Sequence, residues 1–383
     1  MAEHDLIVLG GGCAGLSLGL RLAEAPGEVR SALILEAREV YTDDRTWCFW
    51  RTGPHRHEDL VSREWPSFKV IQQGRQLQLS CADAPYQQIA SGDFYAFAQD
   101  RLAASRQVHL ELGAAAVGDP RREGGSWVIR TGDRTLRARE VIDTRPPKSA
   151  PGCLLWQSFL GQVVRTDGAS FDPRSVILMD LDEPSSEGVR FTYVLPHTES
   201  EALVETTVFS TRPHSPEELR ADHDRDLQRR LDGAGFQVLR EEHGVLPMGQ
   251  TSTSEATPWT RAGLFHGAAR PSTGYAFQRI QRWADHCADS LRRGHGPLAP
   301  AADPALRRWM DSVFLNVLVS APDAGPELLF RLFSGAATER VVRFLSDAGS
   351  SADSLAIMRS LPKLPFLRQA GAQMLGLSRS IRA

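Results

Sequence analysis

Along the chain, the spacing of apolar positions switches between the two periods of regular secondary structure. Leu6 to Leu9 is an unbroken apolar run of strand length that ends in the cluster Gly10-Gly11-Gly12. From Cys13 to Glu24, Leu16, Leu20 and Leu22 recur at helical spacing, and Pro26-Gly27 closes the segment. Ala32 to Leu35 is a second strand, finishing at Glu36, so the first forty residues read as one βαβ unit. An aromatic-rich stretch with turn chemistry at Thr52-Gly53-Pro54 leads to a helix from about Phe94 to Ala104. Short β-type runs follow at Val108 to Leu112, Trp127 to Arg130 and Glu140 to Ile142, and the segment from Gln162 to Ser210 is β-rich again. Ser215-Pro216-Glu217-Glu218 predicts a helix start, because Ser215 can cap, Pro216 suits the first turn and Glu218 completes a capping box. That helix should run to about Leu231 and stop at Gly233. Beyond Gly274 the pattern is helical, with segments at Tyr275 to Arg292, Trp309 to Leu318 and Glu327 to Phe344.

Composition narrows the class without naming a chemistry. The 383 residues suffice for two to three domains, and 42% hydrophobic content with a net charge of −3 excludes disorder and any global pull toward nucleic acid. No uncharged apolar run reaches the roughly 18 to 20 residues of a membrane span. Five scattered cysteines and the absence of HExxH-type spacing among the eleven histidines argue against a metal site or a disulfide scaffold. The opening MAEHD runs straight into a strand without a signal-peptide layout, which predicts a cytoplasmic protein.

The first candidate site is Gly10-Gly11-Gly12-Cys13-Ala14-Gly15, a G-x-G-x-x-G loop between a strand and a helix. Gly10 suits the tight turn, Gly12 lets backbone approach a pyrophosphate and Gly15 lets helix and strand pack closely, while the helix N-terminus offers free N–H groups to phosphate. Glu36 lies 21 residues after Gly15, where an acid accepts from a ribose hydroxyl. An acid there favours FAD or NAD over NADP.

Several further segments together resemble the bacterial lycopene cyclases. These are Arg45-Thr46-Trp47-Cys48-Phe49-Trp50 after the βαβ unit, Val141-Ile142-Asp143-Thr144-Arg145, Tyr193-Val194-Leu195-Pro196, Leu203-Val204-Glu205-Thr206-Thr207, and Arg270-Pro271-Ser272-Thr273-Gly274-Tyr275. Two positions depart from the family pattern: Arg45 stands where a histidine is usual, and Thr206 where a second acid is usual. The resemblance implies a mixed α/β fold like that of the aromatic hydroxylases. A discontinuous Rossmann-type FAD domain (1–160 and 240–295) would carry a β-rich substrate domain (161–239) and a helical, membrane-contacting region (296–383). It implies redox-neutral cyclisation of a linear carotene end group, with reduced FAD maintained by NAD(P)H, no metal and no nucleic acid. A monooxygenase or prenyl-chain reductase acting on a lipophilic isoprenoid is the alternative on the same fold.

Such chemistry needs an acid, a base, a dry cavity and negative charge near a carbocation. Glu205 is the candidate for acid, base or both, and strand alternation puts Leu203, Glu205 and Thr207 on one face with Val204, Thr206 and Val208 on the other. The resemblance adds Asp143, Thr273 and Gly274 to the cofactor site, alongside Gly10, Gly12, Cys13, Ala14, Gly15 and Glu36. Trp47, Phe49 and Tyr193 are the candidate substrate contacts, among aromatics that include Trp50, Trp65, Trp156, Phe159 and Phe191. Finally, no acid follows Asp353, whereas Arg359, Lys363, Arg368, Arg379 and Arg382 are interleaved with Leu355, Ile357, Leu364 and Leu367. A basic, apolar tail of this kind predicts peripheral association with an anionic bilayer.

Overall fold

Strand β1 (His4–Leu9), helix α1 (Cys13–Glu24) and strand β2 (Ala32–Leu35) form the expected unit. The apolar residues of both strands are buried, as a parallel sheet covered on its two faces requires. The structure is a computed structural model and describes residues 3–24, 29, 31–132, 134–147, 152–250 and 257–377. Pro26-Gly27, Arg379 and Arg382 lie outside the described residues.

The chain continues through β3 (Thr46–Trp50), β4 (Arg63–Trp65), β5 (Ser67–Gln72), β6 (Arg75–Ser80) and β7 (Tyr86–Ala90) to α2 (Ser91–Ala103). Then come β8 (Val108–Glu111), β9 (Val117–Glu123), β10 (Ser126–Arg130) and β11 (Thr135–Asp143). Next are β12 (Cys153–Thr166), β13 (Ser175–Asp180), β14 (Val189–Pro196), β15 (Glu201–Ser210), α3 (Pro216–Leu231), β16 (Phe236–Gln250) and the short β17 (Thr260–Arg261). Helix α4 (Phe277–Arg292) precedes a helical region of α5 (Ala305–Ser320), α6 (Gly325–Ser334), α7 (Thr338–Leu345), α8 (Ser351–Ser360) and α9 (Lys363–Met374).

Three sheets result. The first has the order β8-β2-β1-β11-β10-β9, with β17 added to β11, and its β8, β2, β1 and β11 run parallel. Helices α1 and α4 pack together over it, held by buried Arg21, which donates to Asp285 and Gln281. The second sheet, β16-β12-β15-β14-β13-β5-β6, is antiparallel apart from the β13–β5 pair. Its outer face is covered by α3, whose Leu227 and Leu231 pack on Val194 and Val204. The third is a small β3-β7-β4 sheet beside them.

The second sheet extends well outside the span 161–239. It takes β5 and β6 from residues 67–80, and long β12 and β16 begin and end outside that interval, because β12 pairs along its length with both β15 and β16. Helix α3 starts as expected: the Ser215 side chain accepts from the Glu218 N–H, and the Glu218 carboxylate accepts from the Ser215 N–H at 2.8 Å. The segment Glu327 to Phe344 is not one helix. It breaks at Gly335–Ala337, where Ala337 is extended, and the bend lets Leu332 and Phe333 on α6 and Val341 and Val342 on α7 bury in one core. Two arginines, Arg270 fully buried and Arg279 largely so, brace this region against the start of α4. Arg279 pairs with Asp303 and Asp347, while Arg270 pairs with Asp311 and lies over the Phe344 ring.

Candidate active site

The glycine loop is built by close backbone approach. A Cβ on Gly15 would lie 2.0 Å from the Gly10 carbonyl oxygen, so α1 can pass this near to β1 only with glycine there. Around Gly12, by contrast, a Cβ would meet nothing within 4 Å, and the loop at that point faces open cavity. Glu36, at the end of β2, accepts from the Gly11 N–H at 2.7 Å and from the Arg38 N–H at 2.9 Å. Although burial opposes its charge, these bonds and the Arg38 guanidinium hold its carboxyl below the usual range. The Arg38 side chain lies over the rings of Tyr41 and Tyr95 and lines the cavity with Glu36. Cys13 and Ala14, in the first turn of α1, also face this space, and burial pushes the Cys13 thiol up to about 12.

From the loop a single cavity of about 1140 Å³ runs beneath the inner face of the second sheet to the helical region. Its middle is crossed by the turn Thr273-Gly274, which packs against the Gln157 side chain of β12. The Gln157 Oε1 there is buried and has no hydrogen-bond partner among the described residues. Helix α4 follows with no side-chain cap on its first turn, and Phe277 and Ile280 of that helix line the same cavity. A negative group placed there would meet the positive end of the helix.

Glu205 projects from β15, an interior strand flanked by β14 and β12 rather than an edge. Leu203, Glu205 and Phe209 face the cavity, while Thr206 faces α3, donating to Asp226 at 2.5 Å and lying 3.3 Å from His223. The departure at Thr206 is therefore remote from the cavity. Burial, reinforced by the nearby Glu242 carboxylate, pushes the Glu205 carboxyl up to about 8, against the hydrogen bond it accepts from the Thr207 hydroxyl at 2.7 Å. A carboxyl in that state is protonated at neutral pH and able to donate.

The structure brings most of the sequence candidates to this one cavity. Gly10, Gly12, Cys13, Ala14, Glu36, Trp47, Tyr193, Glu205, Thr273 and Gly274 line it, and Gly15 shapes the loop from behind. Asp143 does not reach the cavity wall. Its carboxylate turns back onto Arg145, meeting Nε and Nη2 at 2.8 Å each, and Thr144 and Arg145 are the residues of this stretch that face the space. Phe49 also lies elsewhere, stacked on Phe277 at 5.3 Å, whereas Thr46, Trp47 and Cys48 of β3 line the cavity. Of the remaining aromatics, Phe159 and Phe191 line the cavity, whereas Trp50, Trp65 and Trp156 are core residues.

Two features were missed in the sequence. Glu242 of β16 opens onto the cavity, and the hydroxyls of Tyr86, Tyr193 and Tyr275 form a buried chain with separations of 3.0 and 3.4 Å. Only the register between distant strands joins these residues, although the alternating run before Gly244 is a weak strand signal. Among the described residues, no group of three or more His, Cys, Asp or Glu could hold a metal ion.

A glycine-loop βαβ domain, a large antiparallel sheet and a cavity between them define the two-layer architecture of FAD-dependent monooxygenases and reductases. The chain is similar to a geranylgeranyl bacteriochlorophyll reductase-like protein from Thermoplasma acidophilum, with TM-score 0.63 and 14% identity over 97% of this chain and 99% of that one. It is also similar to p-nitrophenol 4-monooxygenase from Pseudomonas putida DLL-E4, with TM-score 0.59, 14% identity and the same coverage. Within that architecture, residues 5–371 match the family described as lycopene cyclase protein, and the chain belongs to it. The lycopene beta-cyclase of Pseudescherichia vulneris is 26% identical over 95% of each chain, and that of Pantoea ananas 26% identical over 97% of this chain and 98% of the other. The protein is accordingly an enzyme of the isomerase-type cyclase class.

Proposed function

We propose that this enzyme cyclises the linear end group of a carotene, converting lycopene to gamma- or beta-carotene, with reduced FAD bound along the glycine loop. The observation that carries the reading is Glu205: a protonated carboxyl on an interior strand, facing a large cavity walled mostly by apolar groups. The Glu205 proton adds to the terminal trisubstituted double bond and leaves a tertiary carbocation. The neighbouring double bond closes on that centre, forming the ring and moving the positive charge into it. A ring proton then returns to the Glu205 carboxylate, so substrate and product have the same mass and no electrons are exchanged. Leu203, Phe191 and Phe209 keep water from intercepting the cation, and the faces of aromatic rings stabilise it.

The residues present fit an FAD. Gly12 leaves space for a pyrophosphate, Glu36 and Arg38 line the adenosine end, and the uncapped start of α4 and the orphaned Gln157 Oε1 stand where the ring would lie. When bound and reduced, with NAD(P)H as the external reductant, that cofactor supplies negative charge beside the developing cation. Purified protein given FAD, NAD(P)H and liposomal lycopene without oxygen is expected to yield a product isobaric with the substrate and shifted in retention. A product heavier by one oxygen or by hydrogens would replace this reading with hydroxylation or chain reduction.

The substrate is dissolved in lipid, and the far end of the cavity supports delivery from the cytoplasmic face of a membrane. Among the described residues no single helix is long and apolar enough to cross one. Helix α9 instead presents Leu364 and Leu367 to solvent, at 61% and 67% exposure, while Lys363, Phe366 and Leu367 also line the cavity. Leu367 thus belongs to both the outer surface and the mouth. The double variant L364E/L367E is expected to sediment poorly with anionic liposomes and to lose at least tenfold in turnover of liposomal lycopene, since burying two leucines is worth about 3–6 kcal/mol. Turnover of detergent-dispersed lycopene should change little; an equal loss in both assays would argue against membrane docking at α9.

A further inference from the structure

Glu205 does not stand alone on the sheet. Strand register places Tyr193 of β14 opposite Glu205, Glu205 opposite Gly161 of β12, and Gly161 opposite Glu242 of β16. These four residues form one row across four strands, with side chains on the cavity side. Gly161 is the gap in that row: a Cβ there would meet Leu203 at 3.1 Å and Glu205 at 3.4 Å. Without a side chain between them, the two glutamates share the space above Gly161, their backbones separated by two strand spacings, roughly 10 Å.

Glu242 is built differently from Glu205. It is 5% exposed, and its Oε2 receives the Arg240 guanidinium at 2.6 Å and the Thr46 hydroxyl at 2.7 Å. Arg240 is itself fixed by Asp43 at 3.3 Å and donates to the Thr46 hydroxyl at 2.8 Å. Burial pushes the Glu242 carboxyl up, and the Arg240 guanidinium and the Thr46 hydroxyl oppose that by favouring its charged form, whereas Glu205 receives only the Thr207 hydroxyl. Burying an ion pair against an apolar cavity is weak support for stability, so its place on this wall calls for another role.

We propose that Glu242 is the fixed negative charge of this cavity, a positioning residue that acts across Gly161 on the proton of Glu205 and on the cation formed when that proton leaves. The inference rests on the acid role assigned to Glu205 above. The other titratable groups facing the pair are uncharged at neutral pH. Burial raises the Cys48 thiol of β3 and the phenols of Tyr86, Tyr193 and Tyr275, which leaves Arg240 and Asp43 as the charged neighbours of Glu242. The like charge of Glu242 is a cause of the raised Glu205 carboxyl, second only to burial.

The test is an infrared titration of the flavin-loaded protein, following the stretch of a protonated carboxyl, with Glu205→Gln assigning the Glu205 band. In Glu242→Gln the midpoint of that band is expected to fall from near 8 by about one pH unit. The alkaline limb of cyclisation should move down with it, and turnover should drop about tenfold or more. Glu242→Asp, which keeps the charge, should restore most of both. An unchanged midpoint and limb in folded Glu242→Gln would overturn the proposal. If Arg240, left unpaired, prevents that variant from folding, the neutral double variant Glu242→Gln/Arg240→Met removes both members of the pair and the same midpoint decides. A wild-type enzyme that makes no cyclised product, with the band still shifting in Glu242→Gln, would sink the cyclase reading and leave the coupling standing.

Discussion

Replacing Glu205 by glutamine is expected to reduce cyclisation by about 10²–10⁴-fold while leaving FAD binding and the fold intact. Glutamine has the same size, and its amide oxygen can still accept from the Thr207 hydroxyl that now bonds Glu205 at 2.7 Å. What it lacks is a transferable proton, so the loss belongs to the chemical step and should fall on kcat more than on KM. The wild-type pH dependence follows from the same group. Glu205 donates only when protonated, and its carboxyl stands at about 8, so the rate should hold through neutral pH and decline as pH rises through that value. The sign is opposite to that of an ordinary carboxylate base, whose activity would rise with pH above about 4. Mass-resolved assays of Glu205→Gln and of wild type between pH 6 and 9.5 check both points. Normal turnover in the variant would remove Glu205 from the mechanism.

Gly15→Val should abolish FAD binding and lower the melting temperature. The first atom added lies 2.0 Å from the Gly10 carbonyl oxygen, which is backbone and cannot swing aside as a side chain could. Relief requires α1 to lift off β1, moving the helix N-terminus away from the position where it would meet phosphate. Overpacking of this kind costs about 1–3 kcal/mol, and the loss of ligand stabilisation adds to it. Flavin absorbance of the purified variant and its thermal unfolding provide the readout. A yellow protein with a wild-type melting point would mean that the loop has other ways to relax. Gly12→Ala makes a useful contrast, because a Cβ there meets no protein atom within 4 Å, so any effect reports the ligand rather than the fold.

Local chemistry made the N-terminal unit and the α3 start legible, since the turn, the cap and the apolar period all lie within a few residues of one another. Alternation along β15 likewise separated Glu205 from Thr206, and the structure puts them on opposite faces. The parts that escaped depend on contacts distant in sequence. Glu242 meets Glu205 only across Gly161, 81 residues earlier than itself, and nothing in its own neighbourhood marks it as different from exposed Glu241. Asp143 belongs to a motif whose cavity-facing members are Thr144 and Arg145, because a motif preserves residue identity without saying which side chain turns inward. Phe49 and Trp47 both stack on Phe277 from one face of β3, and only Trp47 reaches the cavity, a difference of two residues along a strand that no local pattern marks.

The ion clusters at the base of the helical region have a mechanical consequence. Arg270 and Arg279 bolt α5 and the end of α7 to the start of α4 through Asp311, Asp303 and Asp347. Among the described residues α9 carries no ion pair; it rests on the contact of Phe366 with Phe314 and on hydrogen bonds from Gln369 to Ser320 and Gln373 to Ser312. The helices lining the cavity are therefore fastened by ion pairs near α4 and α5 and only by neutral contacts at α9. Under the proposed function, a rod-like polyene would enter by displacing one lightly fastened helix, leaving Glu205 and Glu242 on their sheet undisturbed.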